Sequence, residues 1–370
     1  MEWLDSGDTR YAAIEERYRM KIQKRLAGLL VLSSSAAIYT VAGVTGARAQ
    51  APAMKLVQTI ELPGYTGDFD HFAVDEQRGR LLLAAEDHAT MEVFDLKTGR
   101  HLKTVKGFDA PHSILVRPAA STIIVTDSGK TMTKVLDAET YAIKGTIKLT
   151  EGADSAAYDP ETNIYYIVTG GKDVDMKTAN VEAVNPDTGQ RLGGVTFKDD
   201  HVEAIALEQH GNRIFVNLTQ TNKMAVVDRK TMKEIAEWPV APAQQNAMVA
   251  LDEAQHRLYV VCRADLSGAP AGKVVVMNSD DGKVVSTQDA PTRVDQVIYD
   301  IVMHRLYVPG GQGYTEIYDT SDANNLKSVA KVSTAPGAKT GILLPGKNLV
   351  LAASPGETKA VAKVMYFSIP

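Results

Sequence analysis

From residue 55 onward the apolar positions fall in short runs rich in Val, Ile, Tyr and Thr, each bounded by Gly, Asp, Asn or Pro. Runs of this kind predict β-strands, and no stretch beyond residue 50 keeps a helical period long enough to compete. Between Asp70 and Pro370 the runs repeat one order seven times: an apolar strand, an Asp- or Pro-marked turn, a β-branched strand, a polar loop, a third strand, a tight turn and a fourth. The last apolar residue of each first strand falls at Val74, Val116, Tyr158, Leu207, Leu251, Tyr299 and Leu344, so the spacings are 42, 42, 49, 44, 48 and 45 residues. Such a period belongs to four-stranded propeller blades.

The third strands carry the most regular signal, in VFDLKTGR, VLDAETYA, AVNPDTGQ, VVDRKTMK, VMNSDDGK and IYDTSDAN. Each closes an apolar pair with Asp or Asn, whose side chain caps a turn by bonding the backbone two residues on, so these acids are expected to be structural. The seventh copy stops at Pro370 after three strands, and Lys55–Leu62 (KLVQTIEL) resembles the fourth strands HLKTVK and AIKGTIKL. The expected fold is therefore all-β: a seven-bladed propeller of four-stranded antiparallel blades, closed by residues 55–62 completing the last blade and leaving no open edge.

Segments such as NRIFVNLTQTNKMAVVD, HRLYVVCR and HRLYVPGG are similar to the YVTN-type repeats of the YncE-like periplasmic β-propeller family, over residues 55–370. The resemblance implies the same fold and a periplasmic setting. It leaves activity open, because lactonase-type and quinoprotein-associated propellers share the scaffold.

The N-terminus does not follow the repeat. Residues 1–19 are hydrophilic and read as a non-native or misannotated extension; residues 20–49 pair a basic start with the apolar stretch Leu26–Val44 and Ala47-Arg48-Ala49. That is the pattern of a secretory signal peptide cleaved after Ala49, leaving residues 50–370 as one propeller domain, periplasmic or secreted, with no stable membrane span. An uncleaved anchor is the rival reading, weakened by Ser33–Ser35 and Thr40. Removing residues 1–49 takes seven basic and five acidic residues from totals of 40 and 45, so the remainder carries 33 against 40, or net −7. An acidic chain without a Lys/Arg cluster has no bulk attraction for nucleic acid. Cys262 is the single cysteine, so no internal disulfide forms and the ordinary expectation is a small buried hydrophobe. A monomer is expected.

Propellers expose variable groups where loops enter the innermost strands. Four residues before each index position lie Asp70, His112, Asp154, Glu203, Ala247, Asp295 and Thr340, with His71 and His201 beside the column. Five of the seven are Asp, Glu or His, against 23% charged residues overall. Converging on one funnel, they would set a negative potential that draws cations and would raise some of their own pKa values. The loops between second and third strands add Glu86, Asp87 and His88, Asp127, residues 169–175, Arg263 with Asp265, and residues 310–314. Arg263 is the one cation expected there, as an ion-pair partner or an anion clamp.

Three functions follow from this column. One is an exported binding protein whose funnel holds a metal ion or small ligand through Asp70, His71, His112, Asp154, His201, Glu203, Arg263 and Asp295. A divalent metal would fall to His112, Asp154, His201 and Glu203, since imidazole with carboxylate favours zinc, iron or similar ions over calcium. Another is a metal-assisted or acid/base enzyme of lactonase type, using His112, Glu203 and Asp154 as catalytic groups. The third is an interaction scaffold for a protein partner. Against all small-ligand readings stands a structural one, in which these side chains bond the backbone of neighbouring loops. The chain has no GxSxG, HExxH, P-loop or CxxCH motif, which leaves nucleophile-elbow hydrolases, zincins, nucleotide enzymes and c-type cytochromes without sequence support.

Overall fold

The computed structural model describes residues 54–129, 132–263, 272–344, 346, 348–354 and 360–370. The expected extension, leader and cleavage site, and Asp265, lie outside the described residues. Within the unit Gln50–Pro370 the strands form seven four-stranded antiparallel sheets, arranged as the blades of a ring. The innermost strands, in order, are Phe72–Asp75, Pro111–Arg117, Ala156–Asp159, Val202–Leu207, Asn246–Asp252, Ile298–Asp300 and Thr340–Leu344. Sequence order within blades 1 to 6 is also spatial order, from innermost to outermost.

Blade 7 is completed by the other end of the domain. Lys55–Leu62 pairs antiparallel with Ala362–Ser368, from Lys55 opposite Ser368 to Leu62 opposite Ala362. The ring is thus closed by hydrogen bonds between strands about three hundred residues apart in sequence, which leaves Ala362–Ser368 paired on both sides and Lys55–Leu62 as the outermost strand of the blade.

Strand position explains burial. Second and third strands are covered by blades on both faces, so Arg80–Ala85 and Lys223–Asp228 are buried almost throughout, whereas the outermost strands, such as Lys233–Pro239, stay largely exposed. The core is therefore divided among the blade interfaces. One cluster packs Val168 and Val181 of blade 3 with Ile214 and Val216 of blade 4. Another joins Val350 and Val364 of blade 7 to Leu81 and Leu83 of blade 1, across the closure. A bulge recurs between third and fourth strands at Val93/Phe94, Val135/Leu136, Ala183/Val184, Val226/Val227, Val276/Met277 and Ile317/Tyr318. Its extra residue strengthens the local twist that each blade needs to nest on the next.

The turn acids act as the repeat predicts. Asp95, Asp137 and Asp228 each accept a 2.8 Å bond from the backbone of Thr98, Thr140 and Thr231, while Asn278 accepts at 2.7 Å from Asp280. His256 and His304 sit in left-handed turns, at φ 55° and 49°, ahead of second strands. Cys262 is 1% exposed, and burial pushes its thiol up to about 12, as befits an inert core group. Among the described residues no helix is long and apolar enough to cross a membrane.

Candidate functional site at the channel mouth

The backbone brings the column together. Asp70 and His71 extend the ladder of blade 1 beyond its innermost strand, through Asp70 N–H to Ala84 O and Ala84 N–H to His71 O, both 3.0 Å. Asp154 does the same in blade 3, its N–H reaching Val168 O at 3.0 Å. Neighbouring blades lock these positions: the Thr340 hydroxyl donates to Asp70 O and the Thr126 hydroxyl to Asp154 O, each at 2.8 Å. These side chains are thus placed by the blade stack itself, which is a rigid element for a site.

The column divides into two clusters. In the first, His112 Nδ1 lies 2.5 Å from Asp70 Oδ2 and 3.5 Å from Asp154 Oδ1, His112 Nε2 lies 2.9 Å from Ser128 Oγ, and His71 Nε2 lies 3.5 Å from Asp70 Oδ1. Glu86, from the loop after the second strand of blade 1, joins Asp70 and His112 with all three ligand atoms within 4.8 Å of one another; Asp70, His71 and Asp154 form an overlapping set by the same measure. In the second cluster, Arg263 donates from Nη1 to Glu203 Oε1 at 2.6 Å, from Nε to Val294 O at 2.6 Å, and from Nη2 to Asp295. His201 Nε2 lies 2.7 Å from Glu203 Oε1, and Lys339 Nζ reaches Asp68 at 2.7 Å and Asp295 at 3.3 Å. A chain of opposite charges, Asp68, Lys339, Asp295, Arg263 and Glu203, thereby ties five blades together.

Of the four residues expected to share a metal, His112 and Asp154 stand together and His201 and Glu203 stand together. All four line one pocket of about 90 Å³ with Glu86, Ser128 and Asp173, but neither close donor set includes His201 or Glu203. Glu203 is already engaged by Arg263. The remaining column members, Ala247 and Thr340, are buried wall residues. The expectation of a single cation at the mouth is corrected by Lys339 and by Lys172, whose Nζ lies 3.1 Å from His201 Nδ1. Lys339 directly precedes the column member Thr340, so the same inspection of flanking positions that picked out His71 and His201 finds it. Ser128 follows Asp127, whose carboxylate accepts from the backbone N–H groups of Asp109 and Ala110 at 3.0 and 2.9 Å and so holds the loop entering blade 2.

The two clusters differ electrostatically. Burial opposes ionisation of Asp70, but His71, His112 and Lys339 outweigh it and hold its carboxyl well below the usual range. Burial works against a charged His112, yet Asp154, Asp70 and Glu86 more than offset it and raise the imidazole well above its ordinary 6.5. Burial pushes Glu86 up to about 7 and Asp154 to about 6; His112 opposes both shifts, and the charge of Asp70 reinforces both. In the second cluster Arg263 and His201 overcome burial and bring Glu203 down to about 2. The ion-paired half of the mouth is therefore self-neutralised, while the Glu86–Asp154 half carries carboxyls that lack a full complement of positive charge.

The order Asp70, His112, Ser128 is that of a nucleophile relay. A histidine held protonated donates from both nitrogens, so it orients Ser128 and cannot accept that hydroxyl's proton at neutral pH. The same imidazolium serves instead as a fixed donor and positive charge at the pocket wall.

No family model matches the chain, and no curated protein matches it. Solved structures do. A chain of "Crystal Structure of Mitotic Checkpoint Complex" superposes with TM-score 0.69 at 13% identity, covering 92% of this chain and 99% of that one. "Crystal structure of RRP9 WD40 repeats" gives 0.68 at 12%, over 87% and 99%. "Kuenenia stuttgartiensis Hydrazine Synthase" gives 0.65 at 13%, over 80% and 94%. At such identities the likeness shows the shared propeller fold.

Proposed function

We propose that this chain is an exported β-propeller of the YVTN-repeat type that binds a cationic group at the mouth of its channel, between Asp70, Glu86 and Asp154. The observation that carries the reading is the asymmetry of the mouth. Arg263 and Lys339 neutralise one half, whereas Glu86 and Asp154 line a pocket beside the imidazoles of His112 and His201, and burial holds both carboxyls above their ordinary range despite His112. A bound cation supplies the missing charge and returns both carboxyls to their ionised form. The leader over residues 20–49 accords with export, and a secreted chain beginning at Gln50 is the mass to look for.

A divalent metal is the second reading, favoured by the compact donor set of Asp70, His71 and Asp154. There the bond from His112 to Asp70 would orient the ligating carboxylate, the usual role of a partner behind a metal ligand. His and carboxylate donors suit zinc or iron better than calcium.

Titration calorimetry of the intact secreted chain with n-propylammonium, and separately with zinc and manganese ions, tests both. The proposal expects saturable binding that Asp154→Asn weakens at least about tenfold, the worth of one charge-assisted hydrogen bond. Equal binding by Asp154→Asn and wild type would overturn it. A chain that takes up none of these probes would leave the protein-partner reading, to which the neighbour solved within a mitotic checkpoint complex lends support.

A further inference from the structure

The residue that follows each member of the mouth column defines a second ring. In chain order it reads His71, Ser113, Ser155, Ala204, Met248, Gln296 and Gly341. All of these except Met248 and Gly341 line a cavity of about 310 Å³, bounded mainly by the innermost strands, which shares no lining residue with the mouth pocket. It is a site of its own.

Its polar groups are buried and largely unspent. Ser113 is 7% exposed and bonds the Thr126 hydroxyl only through its backbone, its N–H at 2.7 Å and its carbonyl at 3.3 Å. Ser155 is 5% exposed and likewise accepts from Val168 N–H through its carbonyl, at 2.9 Å. Neither serine hydroxyl, nor that of the buried Tyr165, has a hydrogen-bond partner among the described residues, and the Gln296 carboxamide bonds only the adjacent Val297 N–H, at 3.3 Å. Burying a hydroxyl without a partner costs stability, and blades 4, 5 and 7 show that this position accepts Ala, Met or Gly. The fold does not demand these groups, so they answer to something held in the cavity.

The rest of the lining fixes its class. No Asp, Glu, Lys or Arg among the described residues lines the cavity, so an ionic ligand would bury its charge with no counter-charge on the wall. His71 turns Nε2 toward Asp70 Oδ1, at 3.5 Å, so any charge it carries is answered outside the cavity. Alongside the polar groups stand Phe72, Ile114, Ile205, Val249 and the ring of Tyr158, whose hydroxyl is already bonded to Asn163 at 2.9 Å. Hydroxyl, amide and imidazole groups thus share one wall with hydrocarbon, around a space at the lower end of the roughly 300–1,000 Å³ typical of small-ligand sites. A polyol has the matching surface, because each of its hydroxyls both donates and accepts while its C–H groups pack against carbon.

We propose that this cavity binds an uncharged polyhydroxylated molecule of monosaccharide size, held through Ser113, Ser155, Gln296 and His71. The site is independent of cation binding at the rim.

Titration calorimetry of the intact secreted chain with D-glucose, D-galactose, D-mannose and myo-inositol tests it, with cyclohexanol as a ring bearing one hydroxyl and glucuronate as a charged ring. At least one of the four polyols is expected to saturate a single site, with cyclohexanol and glucuronate at least about tenfold weaker. Ser113→Ala combined with Ser155→Ala removes two hydroxyls and should weaken that polyol about tenfold or more, and Gln296→Leu about fivefold, while n-propylammonium affinity stays within about threefold. A circular-dichroism melt checks that each variant is folded. Failure of all four polyols to bind overturns the inference and leaves the cavity to water. Cyclohexanol binding as tightly as the polyols, or polyol affinity unchanged in both the serine and the glutamine variants, overturns it as well. The rim reading is judged separately, by n-propylammonium.

Discussion

Arg263 is the residue whose removal tests the electrostatic description of the mouth most directly. Its guanidinium lies between Glu203 of blade 4 and Asp295 of blade 6 and also donates to Val294 O, with 21% of the side chain exposed. Arg263→Met keeps much of the aliphatic stem and deletes the charge, leaving Lys339, at 3.3 Å, as the basic partner of Asp295 among the described residues. The cost follows from Glu203. Its carboxyl is held at about 2 against an ordinary 4.5, and a gap of about 2.5 pH units at about 1.4 kcal/mol each corresponds to about 3 kcal/mol. Breaking a largely buried pair by removing one partner typically costs about 3–5 kcal/mol, which agrees. For a domain of this size that lowers the melting temperature by about 5–10 °C. Because the folded pKa of Glu203 lies below its unfolded value, this stabilisation is complete above about pH 5 and is lost as pH falls toward about 2. Urea denaturation of wild type and variant should therefore diverge at pH 7 and converge toward pH 3, and Glu203→Gln on top of Arg263→Met should recover part of the loss. A difference below about 1 kcal/mol at pH 7, or one that does not shrink in acid, would refute the account.

Glu86 gives the opposite sign. Its folded pKa of about 7 lies above the ordinary 4.5, so the folded state holds the extra proton and stability falls as pH rises between those values. Glu86→Gln should match wild type near pH 4 and exceed it near pH 8 in urea midpoint, and parallel pH profiles would contradict the burial of that carboxyl. Removal of residues 55–62 strips seven ladder pairs from the last blade and exposes Ala362–Ser368 as an edge. The Leu62 side chain alone accounts for about 2–3 kcal/mol of lost burial, so the shortened chain should melt well below the intact one and associate in size-exclusion chromatography. Melting within about 2 °C of the intact chain would show that closure contributes little.

Much of the fold was legible because a blade imposes local demands. Each third strand needs a turn acid, and Asp95 or Asp137 can be recognised with no knowledge of its neighbours, since its partner is the backbone two or three residues on. Closure was legible by default: three strands at one end and a matching fourth at the other have one way to avoid two open edges. The mouth column was legible as a set of positions, because the period places Asp70, His112 and Asp154 at equivalent points of successive blades. What each residue does there was not. Glu203 and Asp154 occupy the same point of adjacent blades, yet one is driven down by Arg263 and the other driven up by its surroundings.

By itself, then, the chain's alternation and period determined a seven-bladed ring, its closure and the end at which its variable polar groups gather. These follow from hydrogen-bonding and burial rules that act within a blade or between identical neighbours. Only the tertiary structure decided the pairing: Arg263 lies 60 residues from Glu203, and Lys339 lies 271 from Asp68. Charges that cancel and charges that persist differ by a few ångströms of approach across blades, and no sequence period encodes that distance. The same is true of a second cavity of about 310 Å³, whose walls come from five innermost strands, the second strand of blade 3 and the loop before the innermost strand of blade 6.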